Sequence, residues 1–434
     1  MLLSPIVSMN LTSYPYLPPN IVLRKYREYD IYDLRNEESY IIDQEAYTLL
    51  KYADGLRTVQ QIIEKFPKRK QDEVREGIEQ FDKLGIIKLA NTEITDNTIK
   101  SLKHHDLPIQ NPFDPPYLKN LMINITERCN LTCKHCYITE KNKVDMPLED
   151  IIELIEEFDS LQGIRVILTG GEPFLYSQLE QLLDILIEIP LQKVILTNGV
   201  LINDTDDYIF NLLEKNYVEV YVSVDGLEQT HNDFRNAGCF EETIKGIKAL
   251  LDRDISVSIN TMIHKQNIDE FGDLYQLITD LGEIKNWSID IPTFDKDIPE
   301  EIKQKYEISY EEGGKILKNY GWGVIYDTPS EGEKVDYSCG PYLMAVDVLG
   351  NISKCGFTFF DEPLGNVFKL GLKKSWEMVQ KNLNWSIHAL ECAEIECEYL
   401  DDCRGGCRFR AKHHTGNIYG VDSYKCYQFG KVKD

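Results

Sequence analysis

Six short runs rich in β-branched residues, separated by helical patterns, fill residues 118–294. The runs are LMINIT (121–126), RVILTG (165–170), KVILTN (193–198), VEVYVSVD (218–225), ISVSINTMI (255–263) and WSIDIPTF (287–294). Between them apolar residues recur at helical spacing. One stretch carries Leu148, Ile151, Ile152, Ile155 and Phe158; another carries Leu179, Leu182, Leu183 and Leu186. Regular strand–helix alternation predicts a parallel sheet. Barrel-type sheets of this kind do their chemistry at the C-terminal ends of the strands. The unusual residues stand at those ends: three cysteines after the first strand, Gly170-Gly171-Glu172-Pro173 after the second, Asn198-Gly199 after the third, and Asp225 closing the fourth.

The predicted fold class is therefore α/β, a partial (β/α)6 TIM-like barrel over residues 118–294, with a further domain on either side. Residues 1–105 contain three short strand candidates at 21–26, 31–36 and 39–44. A helix follows with Ala46, Leu49, Leu50 and Ala53 on one face. Thr58 and Gln61 form a capping-box signature, opening a helix with Val59, Ile62, Ile63 and Phe66 inward. A third helix carries Val74, Ile78, Phe81 and Leu84, and 86–90 returns as a strand. This order predicts a winged-helix-like α+β domain. Residues 107–117, LPIQNPFDPPY, hold four prolines, a stiff composition that places a linker at 106–117. Residues 295–335 read as a helical bridge, and 336–434 as a cysteine-rich, irregular domain.

Charge and composition exclude several classes. The net charge of −25 argues against a general phosphate-binding surface. A winged-helix-like unit raises DNA binding as a second class of function. However, the third helix mixes acids through its length, whereas DNA readers show a basic face, so no nucleic-acid partner is expected. No apolar run approaches the ~20 residues that span a bilayer, and the start lacks the basic n-region of a signal peptide. A cytoplasmic location without membrane contact is the expectation. In that reducing setting eleven cysteines point to metal ligands before disulfides.

Three of those thiols, Cys129, Cys133 and Cys136, crowd into TERCNLTCKHCYITE (126–140). A zinc site would want a fourth Cys or His nearby, and His135 lies between two of the ligands, poorly placed to join them. The spacing Cys129-x3-Cys133-x2-Cys136, with GGEP after the second strand, resembles the signature of the radical S-adenosylmethionine (SAM) superfamily. The resemblance implies that the three thiolates hold three irons of a [4Fe–4S] cluster and that S-adenosylmethionine takes the fourth. Thiolates suit such clusters, and their negative charge favours a low potential. By the same resemblance Gly170, Gly171, Glu172 and Pro173 meet the methionyl amino group. Asn198, Ser223, Asp225 and Asn260 supply polar contacts to the cofactor, and Arg235 meets its carboxylate. The position of His135 is usually aromatic in that family and packs beside the adenine; Tyr137, just past the cysteines, is also assigned to the cofactor. Cys239 matches no ligand, His231 and Asp233 read as structural, and no side chain is singled out as catalytic.

Cys339, Gly350 and Cys355 read as C-x10-G-x4-C. Cys392, Cys397, Cys403, Cys407 and Cys426 read as C-x4-C-x5-C-x3-C-x18-C. This resembles the SPASM domain, an extension that binds two auxiliary [4Fe–4S] clusters, although the first pair of the second block is usually spaced by two residues rather than four. The resemblance assigns Cys339, Cys355 and Cys407 to one cluster and Cys392, Cys397, Cys403 and Cys426 to the other. Three [4Fe–4S] clusters and S-adenosylmethionine are thus the expected cofactors.

The layout of the first domain resembles the peptide-recognition domain of ribosomal-peptide maturases, similar to the small chaperone of pyrroloquinoline quinone synthesis. Such domains take a leader peptide as an added strand. The implied enzyme is a radical SAM oxidoreductase that crosslinks a precursor peptide, with a thioether as the favoured bond and flavodoxin or ferredoxin as electron donor. Carbon–carbon or carbon–oxygen crosslinks, epimerisation, and anaerobic sulfatase maturation stand as alternatives.

Overall fold

A computed structural model of the chain describes residues 10–36, 38–94, 111–136, 138, 144–235, 238–294, 298–322, 336–356 and 363–431. The chain divides into two compact units, residues 1–114 and the bulk of residues 115–434.

In the first unit β2 (Ile21–Lys25), β3 (Tyr29–Asp33) and β4 (Glu38–Ile42) form an antiparallel sheet in the order β2-β3-β4. Helices α1 (Gln44–Tyr52), α2 (Val59–Ile63) and α3 (Gln71–Lys83) follow. Asp43 caps α1 through the amides of Glu45 and Ala46. The capping box at Thr58 and Gln61 forms as the sequence predicts. Ile31, Leu50, Val59, Ile62 and Ile78 make the centre of this unit's core. The returning strand β5 (Lys88–Ala90) does not join the three-stranded sheet. It pairs antiparallel with β1 (Tyr14–Tyr16), a strand the sequence reading did not identify.

The second unit is built on the six predicted strands: β6 (Asn120–Thr126), β7 (Arg165–Gly170), β8 (Gln192–Thr197), β9 (Glu219–Ser223), β10 (Ser256–Met262) and β11 (Trp287–Asp290). They pair in parallel, in sequence order. The α/β partial barrel is therefore the observed fold. Helix α4 (Leu148–Ser160) buries Leu148, Ile151, Leu154, Ile155 and Phe158; Leu154, not the expected Ile152, fills the stripe. Helix α5 (Leu179–Leu186) buries the four predicted leucines, each contributing on the order of 2 kcal/mol of transfer free energy. Helices α6 (Asp207–Lys215), α7 (Glu228–Arg235), α8 (Phe240–Leu251) and α9 (Phe271–Leu281) complete the outer layer.

The segment after residue 336 is more regular than the sequence suggests. Its first strand, β12 (Leu343–Val346), pairs in parallel with β6 and extends the barrel sheet. β13 (Ile352–Ser353) then pairs antiparallel with β12. Helices follow, among them Leu372–Leu383, Arg408–Thr415 and Ser423–Gln428. Leu372 at the start of the first is tied to the barrel layer by its amide, which donates to the Glu157 carboxylate of α4 at 2.9–3.0 Å. The expected bridge contains helices Glu300–Tyr306 and Tyr310–Asn319, and its residues 323–335 lie outside those described.

The barrel interior is graded. At the N-terminal end a polar network closes it: Arg165 donates to Gln192 at 2.7 Å, and Glu219 accepts from Ser258 at 2.5 Å and Asn286 at 3.1 Å. Above that, Met122, Ile167, Val194, Tyr221, Leu343 and Ala345 pack as an apolar floor. Side chains alternate faces along a strand, so two residues further on the same face carries Asn124, Thr169, Leu196 and Ser223. Asn260 is in register with Ser223, and Ser288 with Asn260. A dry floor beneath a polar mouth places the site at the C-terminal ends. Among the described residues no helix is long and apolar enough to cross a membrane.

Candidate functional site

The loop after β6 carries Cys129, Cys133 and Cys136, and its stem is held by groups other than the thiols. Thr126 Oγ1 donates to Asp145 Oδ1 at 2.6 Å and accepts from the Arg128 amide at 3.0 Å; Arg128 Nε lies 3.2 Å from the same carboxylate. The amides of Glu127 and Met146 close a bridge to the returning chain. Lys134 N–H donates to the Phe234 carbonyl at 3.0 Å, which ties the loop to the end of α7. All eleven cysteines are free thiols. Burial pushes the Cys133 thiol up to about 11, so without a metal it stays protonated; metal binding must drive the proton off.

Gly170 and Gly171 are required by this loop. The Gly171 amide donates to the Thr126 carbonyl, and that of Glu172 to the Arg128 carbonyl, both at 2.7 Å. A Cβ at Gly170 would sit 2.2 Å from Thr126 O, and one at Gly171 would sit 2.1 Å from Arg128 O. The close approach is therefore to the cysteine loop's own backbone. Glu172 is wholly buried. It accepts from Thr197 Oγ1 at 2.7 Å, from the Asn198 amide at 2.8 Å and from the Phe174 amide at 3.1 Å. Burial raises its pKa, and these donors oppose the rise. Glu172 thus ties the end of β7 to the end of β8. Asn198 continues the chain of contacts, donating to Asn130 Oδ1 within the cysteine loop at 2.8 Å. Pro173 is buried at the first position of a short 3-10 turn. Gly171→Ala is expected to displace Arg128 and Cys129 together, so that reconstituted protein holds one cluster fewer while the unfolding transition shifts little. Full iron content in that variant would show that the loop tolerates the displacement.

Asp225 and Arg235 form a buried ion pair on the other side of the loop. Burial would raise the Asp225 carboxyl, but Arg235 outweighs it and holds the group below its ordinary value. Asp225 Oδ1 also accepts from the Met262 amide at 2.7 Å, and its own amide donates to His231 Nδ1 at 3.1 Å. Arg235 Nη1 lies 4.0 Å from Cys133 Sγ, the geometry of a cation beside a cluster thiolate. Burial lowers His135 to about 3, and His231 and His264 to about 4, so all three rings are neutral. His135 stacks on Phe234 at 4.5 Å, and Phe234 packs on His264 at 4.0 Å. This column backs the cysteine loop and follows no sequence period. Ser223 and Asn260, half-buried in the mouth, stand as neighbours in register. Tyr137 lies outside the described residues.

Residues 123–278 match the radical SAM superfamily. The chain carries a radical SAM enzyme domain. Domains of this superfamily use S-adenosylmethionine on a [4Fe–4S] cluster, and the three thiols with the cation beside them fit that group. The chain is 27% identical over 356 residues to Fe-coproporphyrin III synthase of Methanosarcina barkeri, covering 70% of this chain and 86% of the relative. It is 24% identical over 403 residues, 87% of each chain, to the antilisterial bacteriocin subtilosin biosynthesis protein AlbA of Bacillus subtilis. Among solved structures, Streptococcus suis SuiB bound to precursor peptide SuiA superposes with a TM-score of 0.67 at 17% identity, covering 94% of this chain and 99% of that one. The last likeness is one of fold.

Beyond the radical SAM domain the remaining thiols gather in two places. Cys392, Cys397, Cys403 and Cys426 line one pocket, walled by Tyr399, Leu400 and Phe429. These are the four that the sequence assigned together. Among the described residues no three His, Cys, Asp or Glu side chains converge tightly enough for a single metal ion. Thiols spread around a pocket suit a larger multi-iron group. In the second place, burial raises the Cys407 thiol above its ordinary value, and charge on nearby Cys339 adds to the rise. Cys355 packs beside the barrel floor, and burial lowers the neighbouring Lys354 to about 7 against the opposing pull of Cys339 and Cys355. Asp422 accepts from the Cys407 amide at 2.8 Å and pairs with Arg410 at 3.0 Å. Arg410 reaches on to Asp290 at the end of β11. Cys239 is buried just before α8. Sequence reasoning missed Lys354 and the Asp290–Arg410–Asp422 chain because a lone charge among irregular residues carries no periodic signal.

Proposed function

We propose that the chain is a maturase that crosslinks a ribosomally made precursor peptide, with a thioether as the bond formed. The carrying observation is the edge of β4. Among the described residues β4 pairs only with β3, and it leaves Glu38 and Ile41 exposed, whereas β2, the opposite edge, is almost wholly buried. An exposed edge accepts an extended peptide as a further strand, which suits capture of a leader sequence. The 403-residue match to a bacteriocin biosynthesis protein, longer than the match to the porphyrin synthase, supports a peptide over a tetrapyrrole.

Cys129, Cys133 and Cys136 would hold the cluster with S-adenosylmethionine on its fourth iron, and together they would supply the radical chemistry that removes a hydrogen atom from the peptide; an auxiliary cluster would take up the electron released as the carbon–sulfur bond closes. The chain's own residues do the rest. Arg235 and Asp225 fix one side of the cysteine loop and the Gly171–Glu172 backbone fixes the other. Ser223 and Asn260, half-buried in the mouth, present polar groups toward the cofactor, whereas the buried Asp225 and Asn198 act through Arg235 and Asn130; the apolar floor excludes water from below. The partition into 1–105, 106–117, 118–294, 295–335 and 336–434 belongs to this reading, as do the auxiliary clusters and a flavodoxin or ferredoxin donor. Cys339, Cys355 and Cys407 leave one iron of their cluster without a cysteine, since SEGEKVDYSC (330–339) has no second thiol. A substrate thiolate is a soft ligand matched to that iron, which favours the thioether over carbon–carbon or carbon–oxygen bonds.

Deleting residues 1–105 is the test. Reductive cleavage of S-adenosylmethionine is expected to persist, because no cluster ligand lies there, while modification of a leader-bearing precursor falls steeply by mass spectrometry. Undiminished modification would refute leader recognition. A crosslinked product whose cysteines still react with iodoacetamide would refute the thioether.

A further inference from the structure

We infer that Arg410 is a positioning residue for the proposed peptide modification: it fastens the Cys407 ligand to the mouth of the barrel, and so sets where the auxiliary cluster stands relative to the place of hydrogen removal. This rests on the auxiliary-cluster assignment of the proposed function. Arg410 is 3% exposed. Its Nη2 donates to Asp422 Oδ2 at 3.0 Å and its Nε to the same oxygen at 3.2 Å, while Nη1 donates to Asp290 Oδ1. The buried Asp422 also accepts from the Cys407 amide, again through Oδ2, at 2.8 Å. The carboxylate packs directly against that backbone: a Cβ on Gly406 would stand 2.5 Å from Oδ2. One guanidinium therefore joins the peptide unit of a cluster ligand to the last parallel strand of the barrel.

The barrel anchor is itself fixed to the side that carries the first cluster loop. Asp290 ends β11 in register with Met262 of β10, and its carbonyl accepts from the Ile263 amide at 2.7 Å. The Met262 amide in turn donates to Asp225, the partner of Arg235 beside Cys133. Alternate residues of a strand share a face, so Asp290 stands on the face of Ser288 at the mouth, with its side chain 44% exposed. A guanidinium is always charged and addresses two carboxylates at once through its planar fork. Replacing a buried ion pair by apolar residues is often neutral for stability. The value of this pair lies in direction instead: its donors hold Asp422, and with it Cys407, in one arrangement against Asp290.

The test uses anaerobically reconstituted full-length protein. Removing Arg410 would strand the buried Asp422, so the change is made on the barrel side, where Asp290→Ala leaves the Arg410–Asp422 pair intact. Iron content and cleavage of S-adenosylmethionine are expected to stay at the wild-type level. Modified precursor peptide formed per 5′-deoxyadenosine should fall roughly 10- to 100-fold, because a misplacement of about 1 Å can cost a positioned reaction ~100-fold. Hydrogen exchange at the amides of residues 405–411 should quicken while that of β6 does not. Asp290→Asn, which keeps an acceptor for Nη1, should restore most of both. An unchanged yield per 5′-deoxyadenosine in Asp290→Ala would overturn the proposal. A lower yield with unchanged exchange would overturn it too, by showing that Asp290 acts on the peptide itself. If Asp290→Ala loses one cluster, recovery in Asp290→Asn supports the tie, and failure to recover overturns it. Iron content of a Cys339→Ala/Cys407→Ala variant separates the two layers: no loss of iron there would sink the cluster assignment, and this inference with it.

Discussion

Replacing Cys129, Cys133 and Cys136 together with Ala leaves the protein folded, removes one four-iron cluster's worth of iron, and drops 5′-deoxyadenosine formation to the uncatalysed background. The fold survives because the loop's stem depends on Thr126, Arg128, Asp145 and the Gly171 and Glu172 amides. The thiols contribute little to it: Cys129 Sγ accepts from the Leu131 amide at 3.5 Å, and Cys136 Sγ lies 3.5 Å from the Ile138 carbonyl. The chemistry fails because thiolates are the only soft ligands on this loop. Iron analysis, circular dichroism and chromatography of the nucleoside product check the three parts. Unchanged cleavage in the triple variant would remove the basis for the enzymatic assignment.

Arg235→Leu is expected to cost about 3–5 kcal/mol of stability, the usual penalty for leaving one partner of a buried ion pair without the other. Asp225 is wholly buried, and Arg235 is its cation. The Met262 amide and the His231 contact remain, but neither neutralises a carboxylate. The double variant Arg235→Leu/Asp225→Asn should recover most of the loss, because it removes the stranded charge. Urea unfolding of the metal-free protein measures both. A single variant within about 1 kcal/mol of wild type would show that the pair is not what orders this side of the loop. The same variant should lower affinity for S-adenosylmethionine, since the guanidinium also faces Cys133.

The barrel was legible because its signals are local. Each strand is a short β-branched run, each helix has an apolar stripe, and the odd residues stand at strand ends. Thr58 and Gln61 likewise declare a helix start four residues wide. What the sequence hides depends on contacts between distant segments. Strand β12 is four residues, too short to show a period, and its partner β6 lies more than two hundred positions earlier. Strand β1 is similar: YPY (14–16) gains its identity only from β5. The role of Glu172 was half visible. The motif marks it as important, but only the folded chain shows both oxygens engaged by the end of β8. His135 reads as a poor ligand from its position between two cysteines, whereas its stacking on Phe234 requires α7 to arrive beside it.

The pairing of β12 with β6 also bears on how this chain can be cut and recombined. β6, which leads into the first cluster loop, is hydrogen-bonded on one side by β7 and on the other by a strand from the auxiliary-thiol region. A chimera joined at residue 336 would take β12 from a different parent and alter the backbone register at the root of Cys129. A truncation there would bare β6 as a long apolar sheet edge, an invitation to self-association. Recombination is better tolerated beyond the β12–β13 hairpin, after Gly356, where the sheet is already complete. By that measure the segments before and after residue 336 are not interchangeable cassettes: the first barrel strand of one is hydrogen-bonded to the first strand of the other.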